Sequence, residues 1–185
     1  MPNWCDGTLT ITALIKDKDK RELLLKAFKG FAKEGDRVLS TNRFIPYPEK
    51  YKKLDRLCEK WEDKKEALDK KGVKDSFKEA EKLYGKYPKD GFNLGGYEWC
   101  NKNWGTKWGF CDTSLTDDDL DEDATFVGYN FQTAWSPISP VIKVMSKAFP
   151  DLNFEYRYNE ESQAFPPTTE TWRKGEYEKS EEDED

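Results

Sequence analysis

A chain of 185 residues is long enough for one domain with a real core and an added segment. Only 36% of its residues are hydrophobic and 37% are charged, so that core must be compact, and seven Trp, nine Tyr and eleven Phe supply much of it. There is no histidine, which removes the commonest general base and excludes Ser–His and Cys–His nucleophile pairs, and the net charge of −6 equals that of the last eleven residues, "GEYEKSEEDED", so the body is neutral rather than acidic.

"GTLTITALI" (Gly7 to Ile15) alternates Leu9, Ile11, Ala13 and Ile15 against three threonines, which predicts a strand with one buried face. A helix is expected from Asp19 to Lys33, with Leu24, Ala27, Phe28 and Phe31 inward and Gly35 as its stop signal. "LSTNRFIPYPEK" reads as a short extended piece that Pro46 and Pro48 keep out of a regular ladder. From 48 to about 90 the chain is charged and helical. One apolar stripe holds Tyr51, Leu54, Leu57, Cys58, Trp61 and Leu68, another holds Val73, Phe77, Ala80 and Tyr84, and "KKG" separates them. This reads as an inserted helical hairpin whose 14 basic and 11 acidic residues nearly cancel.

A glycine-rich loop, "GFNLGG", leads into a short helix over 97–103 and a strand over 107–113. It lacks the Lys-Ser/Thr ending of a phosphate-cradling loop. After the acidic turn "LTDDDLDED" comes a strand over 124–133, with Phe126, Gly128, Asn130 and Gln132 on one face and Val127, Tyr129 and Phe131 on the other. A helix begun by Ser and Pro follows, burying Val141, Ile142, Met145 and Phe149. "DLNFEYRYN" is the last strand, expected at the sheet edge, and residues 166–185 are expected as a polar, acidic tail. The order β–α–(helical insert)–β–β–α–β predicts an α+β chain: an antiparallel split-βαβ sheet over 1–165 with two helices on one face and strands one and three side by side.

The candidate site is "GGYEWCNKNWGTKW" (95–108), with an echo in "PNWCDG" at the N-terminus. Trp99, Trp104 and Trp108 are expected chiefly as packing beside Trp4, with an aromatic platform for bases as the alternative; Trp108, in a strand, is the one expected to face solvent and a partner. Asn101 and Asn103 suit turns that bond their own backbone. Together these five residues are the binding candidates. No catalytic residue, metal ligand or cofactor is expected. The run from Asp117 to Asp123 fails the calcium-loop pattern because Glu122 and Gly128 hold the positions that need Gly and Glu. The spacing of Cys5, Cys58, Cys100 and Cys111 matches no zinc site. No segment approaches the ~20 apolar residues of a membrane span, and "MPNWCDG" lacks the marks of a signal peptide, so a cytoplasmic protein is expected.

"MPNWCDGTLTI", "GYEWCNKNWGTKW" and "FQTAWSPISPVIKVMSKAFPDLNFEYRY" together resemble the YubB-like proteins of plasmids and phages. The resemblance implies a ferredoxin-like domain, a mobile genetic element and no catalytic residues. The functional expectation is a non-catalytic protein acting through protein–protein contact. The alternative is nucleic-acid binding through the sheet aromatics and the basic half, since residues 1–109 hold 25 basic and 18 acidic side chains.

Overall fold

The computed structural model describes residues 3–116, 125–162 and 166–178. The expected acidic turn falls at 117–124 and the end of the expected tail at 179–185, both outside the described residues. The chain divides into two compact units, Tyr47–Trp99 and the remainder.

The larger unit is built on one six-stranded antiparallel sheet: β1 (Trp4–Ala13), β2 (Cys111–Leu115), β3 (Phe126–Ala134), β4 (Leu152–Glu160), β5 (Thr168–Arg173) and β6 (Glu176–Glu178). The strand order β2-β3-β1-β4-β5-β6 puts the first and third strands side by side, as the split-βαβ plan requires. β1 is the central member. Its inward residues Gly7, Leu9 and Ile11 pair with Phe131, Tyr129 and Val127 on β3 and with Tyr158, Tyr156 and Phe154 on β4. Period two thus places apolar groups from three strands on one face.

Two helices cover that face: α1 (Lys18–Ala32) and α5 (Ser139–Ala148). Asp17 caps α1 by accepting from the Lys20 N–H at 3.0 Å, and Pro140 opens α5. The stripe of α1 is displaced from the expected one. Leu25, Phe28 and Ala32 are buried, whereas Ala27 and Phe31 are exposed. Three consecutive leucines allow either stripe; the ring contacts of Phe28 select one.

Gly7 is required by close approach. A methyl there would lie 2.6 Å from Phe131 Cε2 and 3.0 Å from Tyr156 Cε2. Its absence lets Phe131 and Tyr156 stack across β1 at 5.7 Å.

Residues 168–178 correct the expected tail. They form β5 and β6, so β4 is an interior strand and not an edge. Trp172 is the reason: its ring packs on Tyr177 at 5.6 Å, and its Nε1 donates to Glu170, which also accepts from Tyr158 and from Ser139 on α5. A polar sequence here satisfies its own groups rather than solvating them. Ending the chain at Lys174 removes that ring contact, the Arg173–Glu178 ion pair and the bond from Gly175 N–H to Ser146 Oγ. It should lower stability by about 1–2 kcal/mol in thermal unfolding; an unchanged midpoint would show that β6 adds nothing.

The smaller unit holds α2 (Glu49–Lys70) and α3 (Ser76–Tyr84), separated by Gly72 at φ 75°. Trp61, Leu68 and Ala80 form its core, with Val73 against them. Leu57 and Phe77, expected in the stripes, are exposed. Trp61 Nε1 donates to Gly85 O, and the Asp55 carboxylate accepts from the N–H groups of Gly91 and Phe92. The glycine-rich stretch Phe92–Gly96 is a π-type turn leading into α4 (Tyr97–Trp104), whose residues from Cys100 onward belong to the larger unit.

Candidate functional site

The face of the sheet away from α1 and α5 carries the other half of each alternating strand. It is polar. Asp6 and Thr8 on β1 oppose Gln132 and Asn130 on β3, and Asn159 and Arg157 on β4. Gln132 Nε2 donates to Asp6 Oδ1 at 2.8 Å, and Thr8 Oγ1 donates to Asn130 Oδ1 at 3.1 Å. Arg157 Nη2 lies 2.8 Å from Glu155 Oε1. A groove of about 710 Å³ runs over these side chains, with Asp112 on its β2 side and Thr168 and Thr169 on its β5 side.

At the end of the sheet marked by Trp4 the surface becomes aromatic. Trp4 pairs with Ala134 in the ladder, and the segment 105–110 folds back against that end. Thr106 holds it there. The Thr106 hydroxyl is fully buried, donates to Ala134 O at 2.8 Å and accepts from Ala134 N–H at 3.1 Å. Ser136 Oγ donates to Gly105 O at 2.5 Å. Thr106→Val keeps the shape but strands two buried backbone groups, and should cost about 1–3 kcal/mol in denaturant unfolding. Thr106→Ser should retain most of that stability; equal losses would show that the hydroxyl is not what anchors the loop.

This loop explains why the expected strand over 107–113 begins later. Gly105 and Gly109 take φ of 81° and 76°, and Asp112 takes 46°, all outside the strand region. The Thr41 hydroxyl sits where a Gly109 side chain would, and accepts from Phe110 N–H at 2.9 Å. Phe110 is buried against Phe131 at 4.6 Å. Regular pairing starts only at Cys111, with a register irregularity before Ser114.

The five candidate residues separate. Trp104 is buried, and its Nε1 donates to Ile45 O at 2.9 Å. Trp108 is 41% exposed; its ring lies 6.0 Å from that of Trp4, and Lys107 Nζ stands 4.4 Å from its centroid. Trp4 therefore packs on Trp108. Trp99 lies in the smaller unit, with its ring edge-on to Tyr47 at 5.7 Å. Asn101 is exposed and Asn103 half-buried, both on α4 within a helix rather than a turn.

Trp135, which the sequence reading passes over, is 53% exposed at φ 73° and donates its N–H to Asn3 O at 2.9 Å. A bulky residue in that region is strained. Its only sequence signal is its place in "TAWSP", between a strand end and a proline. Tyr129, Phe131, Phe154 and Tyr156 are buried on the helix-covered face of the sheet.

Burial pushes the Cys5 thiol up to about 11 and raises that of Cys111 as well, so neither offers a thiolate at neutral pH. Burial, then Glu170, pushes Tyr158 up to about 12. All four cysteines are free thiols. Among the described residues no cluster of three metal-ligating side chains occurs, and no helix is long and apolar enough to cross a membrane.

No curated protein matches the chain. A crystal structure of a protein api92 from Yersinia pseudotuberculosis aligns with a TM-score of 0.44 at 10% identity, over 96% of each chain. Residues 112–185 match a family model described as the ferredoxin-like domain in Api92-like protein. The chain is thus an α+β protein with a region similar to that ferredoxin-like domain, and it is the Api92-like description, rather than the YubB-like one, that the match carries.

Proposed function

We propose that this is a non-catalytic binding protein that acts through protein–protein contact. The observation that supports the reading best is the pair of exposed tryptophans, Trp108 and Trp135, 41% and 53% accessible on a chain with a well-filled core. Tryptophan is the residue most enriched at interface hot spots, because a rigid, large ring gains much on being covered. The protonated Cys5 and Cys111 thiols and the missing histidine add to it by leaving no Cys–His or Ser–His pair. A cytoplasmic location and a plasmid or phage setting belong to the same proposal; they rest on the YubB-like resemblance of the three motifs and on composition.

The test is capture of a partner by the tagged full chain, compared with Trp108→Ala and Trp135→Ala variants that unfold at the parental midpoint. The expected result is one protein retained by the parent and lost from either variant. Retention by all three, or by none, would remove the reading. A complex with DNA or RNA that weakens steeply with salt would favour the nucleic-acid alternative instead.

A further inference from the structure

We propose that the partner presents an arginine-bearing basic segment, laid over the open sheet face with one guanidinium held between the Trp4–Trp108 pair and the carboxylates of Asp6 and Asp112. This rests on the protein-contact reading and adds the chemistry of what is bound.

Three observations converge. The first is continuity. Trp4 and Asp6 are two residues apart on β1 and share the open face. Asp112 lines the groove that contains Asp6 and Gln132, and also a second hollow of about 500 Å³ lined by Trp108, Phe110 and Asp36. The aromatic end and the polar groove are therefore joined through one carboxylate.

The second is charge. Glu161 accepts from the Trp4 backbone N–H through Oε2 at 3.3 Å, so a third acid stands at the start of β1. Asp6, Asp36, Asp112, Glu155 and Glu161 face three basic groups, Arg37, Lys107 and Arg157, and Arg157 is already paired with Glu155. The surface is short of positive charge. An anionic strand such as a nucleic acid would meet repulsion here, whereas a basic peptide would complete it.

The third is the ring itself. The face of Trp108 already takes an ammonium, that of Lys107, at 4.4 Å. A guanidinium suits this place better, because it is flat, stacks on indole and bonds a carboxylate with two parallel N–H groups. Gln132 holds Asp6 through Oδ1, which reduces the ordering cost of that carboxylate on binding.

The experiment is fluorescence anisotropy with the full-length chain and a labelled peptide of alternating Arg and Gly, at low and moderate salt. Peptides with Lys or Glu in place of Arg, and oligothymidylate, serve as comparisons. Saturable binding is expected for the Arg peptide, weaker binding for Lys and none for Glu. The Asp6→Asn, Asp112→Asn double variant should bind at least about tenfold more weakly, and Trp108→Ala about fivefold more weakly. Both variants must keep the parental unfolding midpoint; Trp108→Phe, which retains a ring, gives a second measure if the alanine variant does not fold. If the double variant binds as tightly as the parent, carboxylates elsewhere hold the peptide and the proposal fails. It also fails if oligothymidylate binds in preference. Capture of a Trp108-dependent partner together with no Arg-peptide binding would sink this inference alone; no captured partner would sink the protein-contact reading whatever the peptide does.

Discussion

Trp104→Ala is expected to destabilise the larger unit by about 3–5 kcal/mol. Its indole is 6% exposed, and its Nε1 donates to Ile45 O at 2.9 Å. Truncation leaves a cavity the size of a large aromatic and a part-buried carbonyl without its donor, and those penalties add. The next residue, Gly105, turns at φ 81°, and a methyl there would lie 2.9 Å from Pro140 Cδ, so the chain beyond Trp104 has little freedom to collapse into the gap. Trp104→Phe keeps most of the volume and should cost about 1–3 kcal/mol, which isolates the hydrogen bond. Urea unfolding followed by circular dichroism measures both. If Trp104→Ala unfolds with the parent, the ring is not a structural anchor, and Trp104 returns to the list of contact residues.

Phe28→Ala is expected to be comparably severe, about 3–5 kcal/mol, for a different reason. Phe28 is fully buried where α1 meets the sheet, and its ring lies 5.0 Å from Phe149, 5.5 Å from Phe154 and 5.9 Å from Phe44. It joins α1 to the turn at Phe44, to the residue that ends α5 and to β4, so no single neighbour can move to fill its place. Phe31→Ala should cost much less, because that ring is 39% exposed even though it touches Phe44 and Phe149. Equal losses at the two positions in denaturant unfolding would mean that both rings, not Phe28 alone, hold α1 to the sheet.

The exposed rings divide along the same line of burial. Trp104 and Trp108 sit four residues apart in one tryptophan-rich stretch, yet one is a core residue and the other is half open to solvent. Nothing in residue type separates them. What separates them is Gly105, which ends α4 and reverses the chain between them, and Thr106, which ties the following segment to the end of β3. The pairing of Trp4 with Trp108 follows from that reversal. The Trp-Cys echo of Trp4-Cys5 pointed to Trp99-Cys100, whereas Trp108 is followed by Gly109 and carries no such signal.

Period-two alternation in "GTLTITALI", "ATFVGYNFQT" and "DLNFEYRYN" was enough to name three strands and to divide their residues between two faces, because side chains alternate along a strand; which face of "ATFVGYNFQT" is buried was decided by its pairing with β1. Connection length and handedness then placed the first and third strands together. The sequence alone also determined that nucleophile–base pairs with histidine are absent, since that is a matter of composition. Tertiary structure decided the rest. β5 and β6 carry little hydrophobic signal; they exist because β4 presents an open ladder and because Glu170 gathers hydroxyls of Ser139 and Tyr158 with the Trp172 indole from three elements. The stripe of α1 was decided by which leucine the sheet could cover, and the joining of Asp6, Asp112 and the Trp4–Trp108 pair by the turn at Gly105, between α4 and β2, which brings together residues far apart in the chain. Such groupings arise from non-local contacts, whose energies no local periodicity records.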